Sequence, residues 1–240
     1  MKSLKIILTL ALFATLSSCN LDISWGQVTG NGNVVTEERP VYDGFERVRG
    51  SAGLDVYLTE GNENKIVVEA DENLLEIIET DVTNGRLHIT TRKSIGRAKS
   101  KKVHVTYTKL VQVGASSGAD VIGNSVLRGE EITLESSSGA DLEIEVDARD
   151  VYAETSSGAD LKVSGKATSL RASASSGSDL KARNLEVLTC NADASSGADI
   201  TVNVKERLDG EASSGGDIKY YGNPEAVSAR DGYSGSIRKM

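Results

Sequence analysis

A five-residue phrase, Ser-Ser-Gly-x-Asp, occurs six times between residues 116 and 217, and this repetition restricts the fold more than any other property of the chain. The copies are Ser116-Ser117-Gly118-Ala119-Asp120, Ser137-Ser138-Gly139-Ala140-Asp141, Ser156-Ser157-Gly158-Ala159-Asp160, Ser175-Ser176-Gly177-Ser178-Asp179, Ser195-Ser196-Gly197-Ala198-Asp199 and Ser213-Ser214-Gly215-Gly216-Asp217. Successive glycines are 21, 19, 19, 20 and 18 residues apart. The flanks repeat as well. Three residues after each Gly stands an aliphatic side chain: Val121, Leu142, Leu161, Leu180, Ile200 or Ile218. Seven before it stands Val111, Ile132, Val151, Leu170, Cys190 or Leu208, and the side chains become smaller five and three positions before it.

All these positions have one parity about the Gly, which is the period of a strand with one buried face. Two short strands around a bend cannot bury that face alone. Stacked coils can, with each strand about 4.8 Å from its neighbour. The pattern predicts an all-β parallel β-helix with coils of about 20 residues, right-handed by the chirality of parallel connections. A β-sandwich is the competing fold. Each Gly is expected at positive φ or at a close backbone approach. Cys190 falls in the inward series and reads as a small buried hydrophobe.

The six aspartates, Asp120, Asp141, Asp160, Asp179, Asp199 and Asp217, have the opposite parity and should form an exposed column. Charges about 5 Å apart repel. Two readings follow: each Asp accepts hydrogen bonds from its own turn, or the column is a face for cations or a cationic partner.

Residues 30–110 read as less regular β structure ahead of the repeats at 111–240. Ser51-Ala52-Gly53-Leu54-Asp55-Val56 resembles a degenerate copy, and Lys65–Ala70, Arg86–Thr91 and Val103–Thr108 read as strands. Asp71 to Thr80 admits a short helix or turn. Gly96 to Lys102 is a basic loop carrying Arg97, Lys99, Lys101 and Lys102, read as a solvated tip or as a contact for an acidic glycan or partner. His88 and His104 are expected on outer strand faces, without a metal or catalytic role.

The chain opens with Lys2 and Lys5, then an apolar run from Ile6 to Leu16, and has no acidic residue before Asp22. This is the pattern of a signal peptide, residues 1–18. The run ends Leu16-Ser17-Ser18-Cys19, which matches a lipobox, so Cys19 is the expected site of lipidation and residues 19–29 a tether to the membrane. The mature chain would carry 25 basic and 35 acidic residues. That balance disfavours nucleic acid and direct binding to an anionic surface. Cys190 would be the one remaining cysteine, so no intramolecular disulfide supports the fold.

Gly30-Asn31-Gly32-Asn33-Val34-Val35, Tyr42-Asp43-Gly44-Phe45, Gly53-Leu54-Asp55, Ala70-Asp71-Glu72-Asn73-Leu74-Leu75, Asn84-Gly85-Arg86-Leu87, the repeats and Tyr221-Gly222-Asn223-Pro224 together resemble the head GIN domain of autotransporter-adhesin type, common in Bacteroidetes lipoproteins. The resemblance spans nearly all of residues 28–237. It implies a β-helical fold and a place in the cell envelope, and supplies no catalytic residues. Gly-Leu-Asp stands here where the family name suggests Gly-Ile-Asn.

A non-catalytic, adhesin-like binding or scaffolding module of the outer membrane, with a glycan or protein ligand and no cofactor, fits these features. The alternative is a β-helical polysaccharide-processing enzyme. Such an enzyme needs paired acids in a groove at irregular positions. Here the acids are periodic, and at 4% the aromatics that stack on sugars are few.

Overall fold

A computed structural model describes residues 26–232 and 234–240. The expected signal peptide and Cys19 lie outside the described residues. Seven strands precede the repeats: β1 (Val34–Arg39), β2 (Arg47–Gly50), β3 (Asp55–Glu60), β4 (Lys65–Asp71), β5 (Ile78–Thr83), β6 (Arg86–Thr91) and β7 (Lys101–Tyr107). Ten follow: β8 (Gln112–Ser116), β9 (Asp120–Gly123), β10 (Leu127–Ser137), β11 (Asp141–Ser156), β12 (Asp160–Ser175), β13 (Asp179–Ala194), β14 (Asp199–Ala212), β15 (Asp217–Gly222), β16 (Ala226–Asp231) and β17 (Ser236–Lys239). All belong to one continuous sheet wound into a β-solenoid. The segment Asp71 to Thr80 holds a single 3-10 turn, Glu72–Leu74, followed by β5.

From β8 onward every pairing is parallel and joins equivalent positions of successive repeats. Strands β11, β12 and β13 each run 16 residues, from one Ser-Gly turn to the next. Along β11 the buried residues are Leu142, Ile144 and Val146, then Val151, Ala153 and Thr155. Parity therefore switches between Val146 and Val151, and this is the second corner of the coil. Differences in coil length are absorbed there: the β12–β13 register shifts after Lys162, and the β13–β14 register shifts between Ala182 and Glu186.

The Ser-Gly corner does not vary. Both its central residues have positive φ, 56° at Ser157 and 68° at Gly158, with matching values in the other copies. In four copies the carbonyl of the first serine accepts from the amide three residues on, as from Ala119 to Ser116 at 3.2 Å, and in the Ser175 copy it accepts from the Ser178 hydroxyl at 2.8 Å. This is the geometry of a type I′ turn. The turns also bond to one another: the Gly amides of the first five copies donate to the second-serine carbonyl of the next coil, as from Gly118 to Ser138, Gly139 to Ser157 and Gly158 to Ser176, all at 3.1 Å. Sequence reasoning anticipated the glycine conformation and missed that of the serine.

Small side chains fill the interior beside this corner. Ala115, Ser136, Thr155, Ala174, Ala194 and Ala212 are all buried. The buried hydroxyls of Ser136 and Thr155 donate across the turn to the carbonyls of Ala140 and Ala159, at 2.9 and 3.1 Å, so neither is left unpaired. Larger aliphatics, Leu142, Leu161, Leu180 and Ile200, continue the core on the other side of the turn. Cys190 is buried, and that burial pushes its thiol up to about 12.

The N-terminal region enters the same stack out of sequence order. Strands β2 and β3 flank a turn at Ala52 (φ 60°) and Gly53 (φ 71°), as the degenerate copy predicts. This coil lies between β6–β7 on one side and β8–β9 on the other. Beyond β6 and β7 the pairing becomes antiparallel: β5 adds to β6, β4 to β7 and β1 to β4. These strands close one end of the solenoid, so the terminal coil does not leave its edge free. At the other end, β16 and β17 frame a last degenerate turn in which Gly235 donates to the Gly232 carbonyl at 3.2 Å. All six residues of β16 are exposed.

Candidate functional site

The six aspartates stack in direct register, and Asp55 joins them as a seventh member: Asp55 lies beside Asp120, then come Asp141, Asp160, Asp179, Asp199 and Asp217. The column ends at Ser236 on one side and at Lys102 on the other. The register follows from the Ser-Gly corner, which places each Asp two residues past its Gly on the outward face. Much of the column is neutralised by cations two residues further along neighbouring strands. Lys181 lies 2.6 Å from Asp160 and 3.3 Å from Asp179, Lys219 lies 2.9 Å from Asp199, and Arg238 lies 3.4 Å from Asp217. Among the described residues these side chains, rather than turn amides, hydrogen-bond the column's carboxylates.

Asp120 and Asp141 have no such partner among the described residues. Partial burial, with Asp120 and Asp160 on either side, holds the Asp141 carboxyl above the ordinary range. The unsatisfied charge of the column is therefore concentrated at these two residues.

The outer face before the turn has a different character. Tyr152, Arg171, Asn191 and Asp209 form a row across four coils, set by the β11–β12, β12–β13 and β13–β14 registers. Ser169, Thr189 and Arg207 form the next row. Together they line a groove of about 350 Å³. Tyr152 is 38% exposed, and the Arg171 guanidinium lies 5.9 Å from its ring centre. Asp209 lines this groove and Asp150 is hydrogen-bonded to the lining Ser169, and both carboxylates are committed. Asp209 accepts from Arg207 at 2.8 Å and is held below the usual range by that bond. Asp150 accepts from Ser169 at 2.6 Å and from Arg149 at 2.8 Å, and both bonds lower it. The sequence singled out none of these residues, because they are ordinary polar positions until the register brings them together.

A third assembly ties the start of the fold to the basic loop. Asp71 is fully buried and accepts from the amides of Gly32 at 2.9 Å, Ser100 at 3.0 Å and Lys99 at 3.1 Å. Burial raises its carboxyl, but these bonds outweigh that and hold it below the ordinary value. A Cβ on Gly30 would lie 2.0 Å from Asp71 Oδ2, so glycine is required there. Outside this node, His104 stacks on Tyr57 with ring centres 5.4 Å apart and meets Glu69 at 3.2 Å. His104 is exposed on the outer strand face expected of it, and His88 is partly exposed.

A family model described as "Putative auto-transporter adhesin, head GIN domain" matches residues 44–224. The chain belongs to this family. Solved structures with a similar fold include a putative adhesin from Bacteroides fragilis NCTC 9343, with a TM-score of 0.82 at 20% identity, covering 89% of this chain and 100% of that one. A putative lipid binding protein from Parabacteroides distasonis ATCC 8503 gives 0.74 at 18% identity, covering 89% and 99%. A putative adhesin from Parabacteroides merdae ATCC 43184 gives 0.72 at 20% identity, covering 90% and 99%. At these identities the likeness shows the fold. No curated protein matches the sequence.

Proposed function

We propose that this head GIN protein is a non-catalytic lipoprotein of the outer membrane, anchored through Cys19, whose solenoid serves as an adhesin-like binding or scaffolding module. The observation that carries this reading is the groove across β11 to β14. It offers an exposed aromatic ring, two guanidinium groups and an amide in fixed register, which suits the face and hydroxyls of a sugar. A glycoside hydrolase needs one carboxyl raised enough to act as an acid. Asp150 and Asp209 are both lowered and paired, which favours binding over hydrolysis at this groove. The ordered rows along the solenoid also suit an extended ligand that crosses several coils.

A glycan array probed with the mature protein tests the ligand class. Tyr152→Ala and Arg171→Ala should each reduce any positive signal about tenfold, the loss of one good contact, without changing the melting temperature appreciably. Signals unaffected by both variants would place the ligand elsewhere. Fatty-acid labelling in cells tests the anchor: the wild type should label and Cys19→Ala should not. Labelling that persists in Cys19→Ala would remove the anchor from this reading.

A further inference from the structure

We infer that the closed end of the solenoid faces the membrane, with Lys93, Arg97 and Lys99 contacting the phosphates of anionic phosphoglycerolipids. This rests on Cys19 being the lipidated residue.

The described chain begins on this loop. Val28 donates to the Ser94 carbonyl at 2.8 Å, Gly96 donates to Val28 at 3.0 Å, and Gly30 donates to Arg97 at 2.8 Å. Asp71 then clamps both segments, taking amides from Gly32 on one and from Lys99 and Ser100 on the other. The point where the chain leaves the fold and the basic loop are thus one hydrogen-bonded unit. Gly26 is seven residues from Cys19, and seven residues span at most about 25 Å. Val28, where the chain first bonds to the loop, is nine residues from Cys19, so an acyl chain on Cys19 would hold the loop within about 32 Å of the bilayer surface. The loop joins β6 to β7, the coil next to the antiparallel cap, so it belongs to the end of the stack opposite β16 and β17.

Charge selects the same end. Lys93, Arg97 and Lys99 are exposed, and none meets a carboxylate among the described residues. Their neighbours do: Arg92 with Glu79, Lys101 with Asp55 and Lys102 with Glu69. The nearby acids are occupied, Asp71 by backbone amides and Glu72 by the Asn33 side chain at 3.0 Å. Beyond this end the chain is strongly acidic, with the aspartate column running along it. An anionic bilayer repels that length and attracts these three cations. The balance stands the solenoid on its cap and points β16 and β17 away from the lipid.

The full-length protein, purified with its acyl chains, would be placed in phosphatidylcholine vesicles with or without about 30% phosphatidylglycerol and treated with an amine-reactive reagent. Lys93 and Lys99 should label about threefold less on the anionic vesicles, with labelling restored in high salt as screening removes the contact. Lys166, exposed on a distant coil, should label equally on both. Equal labelling of Lys93 and Lys99 on the two vesicle types overturns the inference while leaving the anchor intact. Protection that needs an added acidic polysaccharide and no anionic lipid overturns it in favour of a glycan. Wild-type protein that carries no fatty acid fails at the earlier step and removes both readings together.

Discussion

The second serine of each turn holds φ between 50° and 57°, a region that L-residues other than Asn and Asp seldom occupy. Its side chain is exposed, and its carbonyl accepts an amide from the adjacent coil, so a hydrogen bond offsets the strained conformation. The following glycine carries no steric load: a Cβ on Gly158 would meet nothing within 4 Å. The cost of Gly158→Val is therefore conformational, about 1–3 kcal/mol. Gly96 has no positive φ, and a Cβ there would meet the movable Gln27 Oε1 at 3.1 Å, so Gly96→Val should cost well under half as much. Gly165 is more demanding. Its φ is 107°, and a Cβ would lie 2.0 Å from the Val146 carbonyl oxygen, so even Gly165→Ala should cost about 3 kcal/mol. Denaturant titration separates the three. Equal losses for Gly158→Val and Gly96→Val would show that the Ser-Gly corner is not fixed.

At the scale of the element, the aspartate column is a ladder that is neutralised along most of its length. Asp120 and Asp141 are the exceptions, and the raised carboxyl of Asp141 means that its ionisation opposes folding. The penalty is present at neutral pH and disappears as pH falls through the raised value. Asp141→Asn should raise the melting temperature at neutral pH, with the gain shrinking in acid and in high salt. If calcium raises the melting temperature of the wild type and not of Asp141→Asn, the column instead holds a cation. Asp71 has the opposite sign. Its lowered carboxyl contributes stability that is present above 3.8, the ordinary aspartate value, and lost as pH falls through the still lower folded value. Asp71→Asn should melt lower at neutral pH, and thermal melts across this range should show the gap to the wild type closing only below 3.8. A gap already closed at a higher pH would mean that the carboxylate is not what holds the Gly32 and Lys99 segments together.

For the whole molecule, the repeat made the solenoid legible because Val121, Leu142, Leu161, Leu180, Ile200 and Ile218 keep one parity and one spacing. The same spacing placed the aspartates outside and Cys190 inside. Three things were hidden. The second corner, near Gly165, is irregular in length and so leaves no fixed motif. The Tyr152–Arg171–Asn191 row consists of unlike residues, and only the register between coils makes them neighbours. The antiparallel cap was hidden because β4 and β7 read as strands without any sign of partner or direction, since pairing over long sequence distances is set by packing rather than by local pattern.

The placement of the β2–β3 coil between β6–β7 and β8–β9 bears on how the chain reaches its folded state. Each repeat from β10 onward can dock on a coil made just before it, as in other stacked arrays. The β2–β3 coil cannot, since both of its neighbours come later in the sequence. Residues 47–60 must wait, with both edges open, until residues 86–123 have arrived. Assembly therefore does not run from the first residue to the last. The N-terminal quarter stays open to chaperones and to mispairing through the early part of folding, and the cap closes only after the coil it covers has been caught between strands from further along the chain.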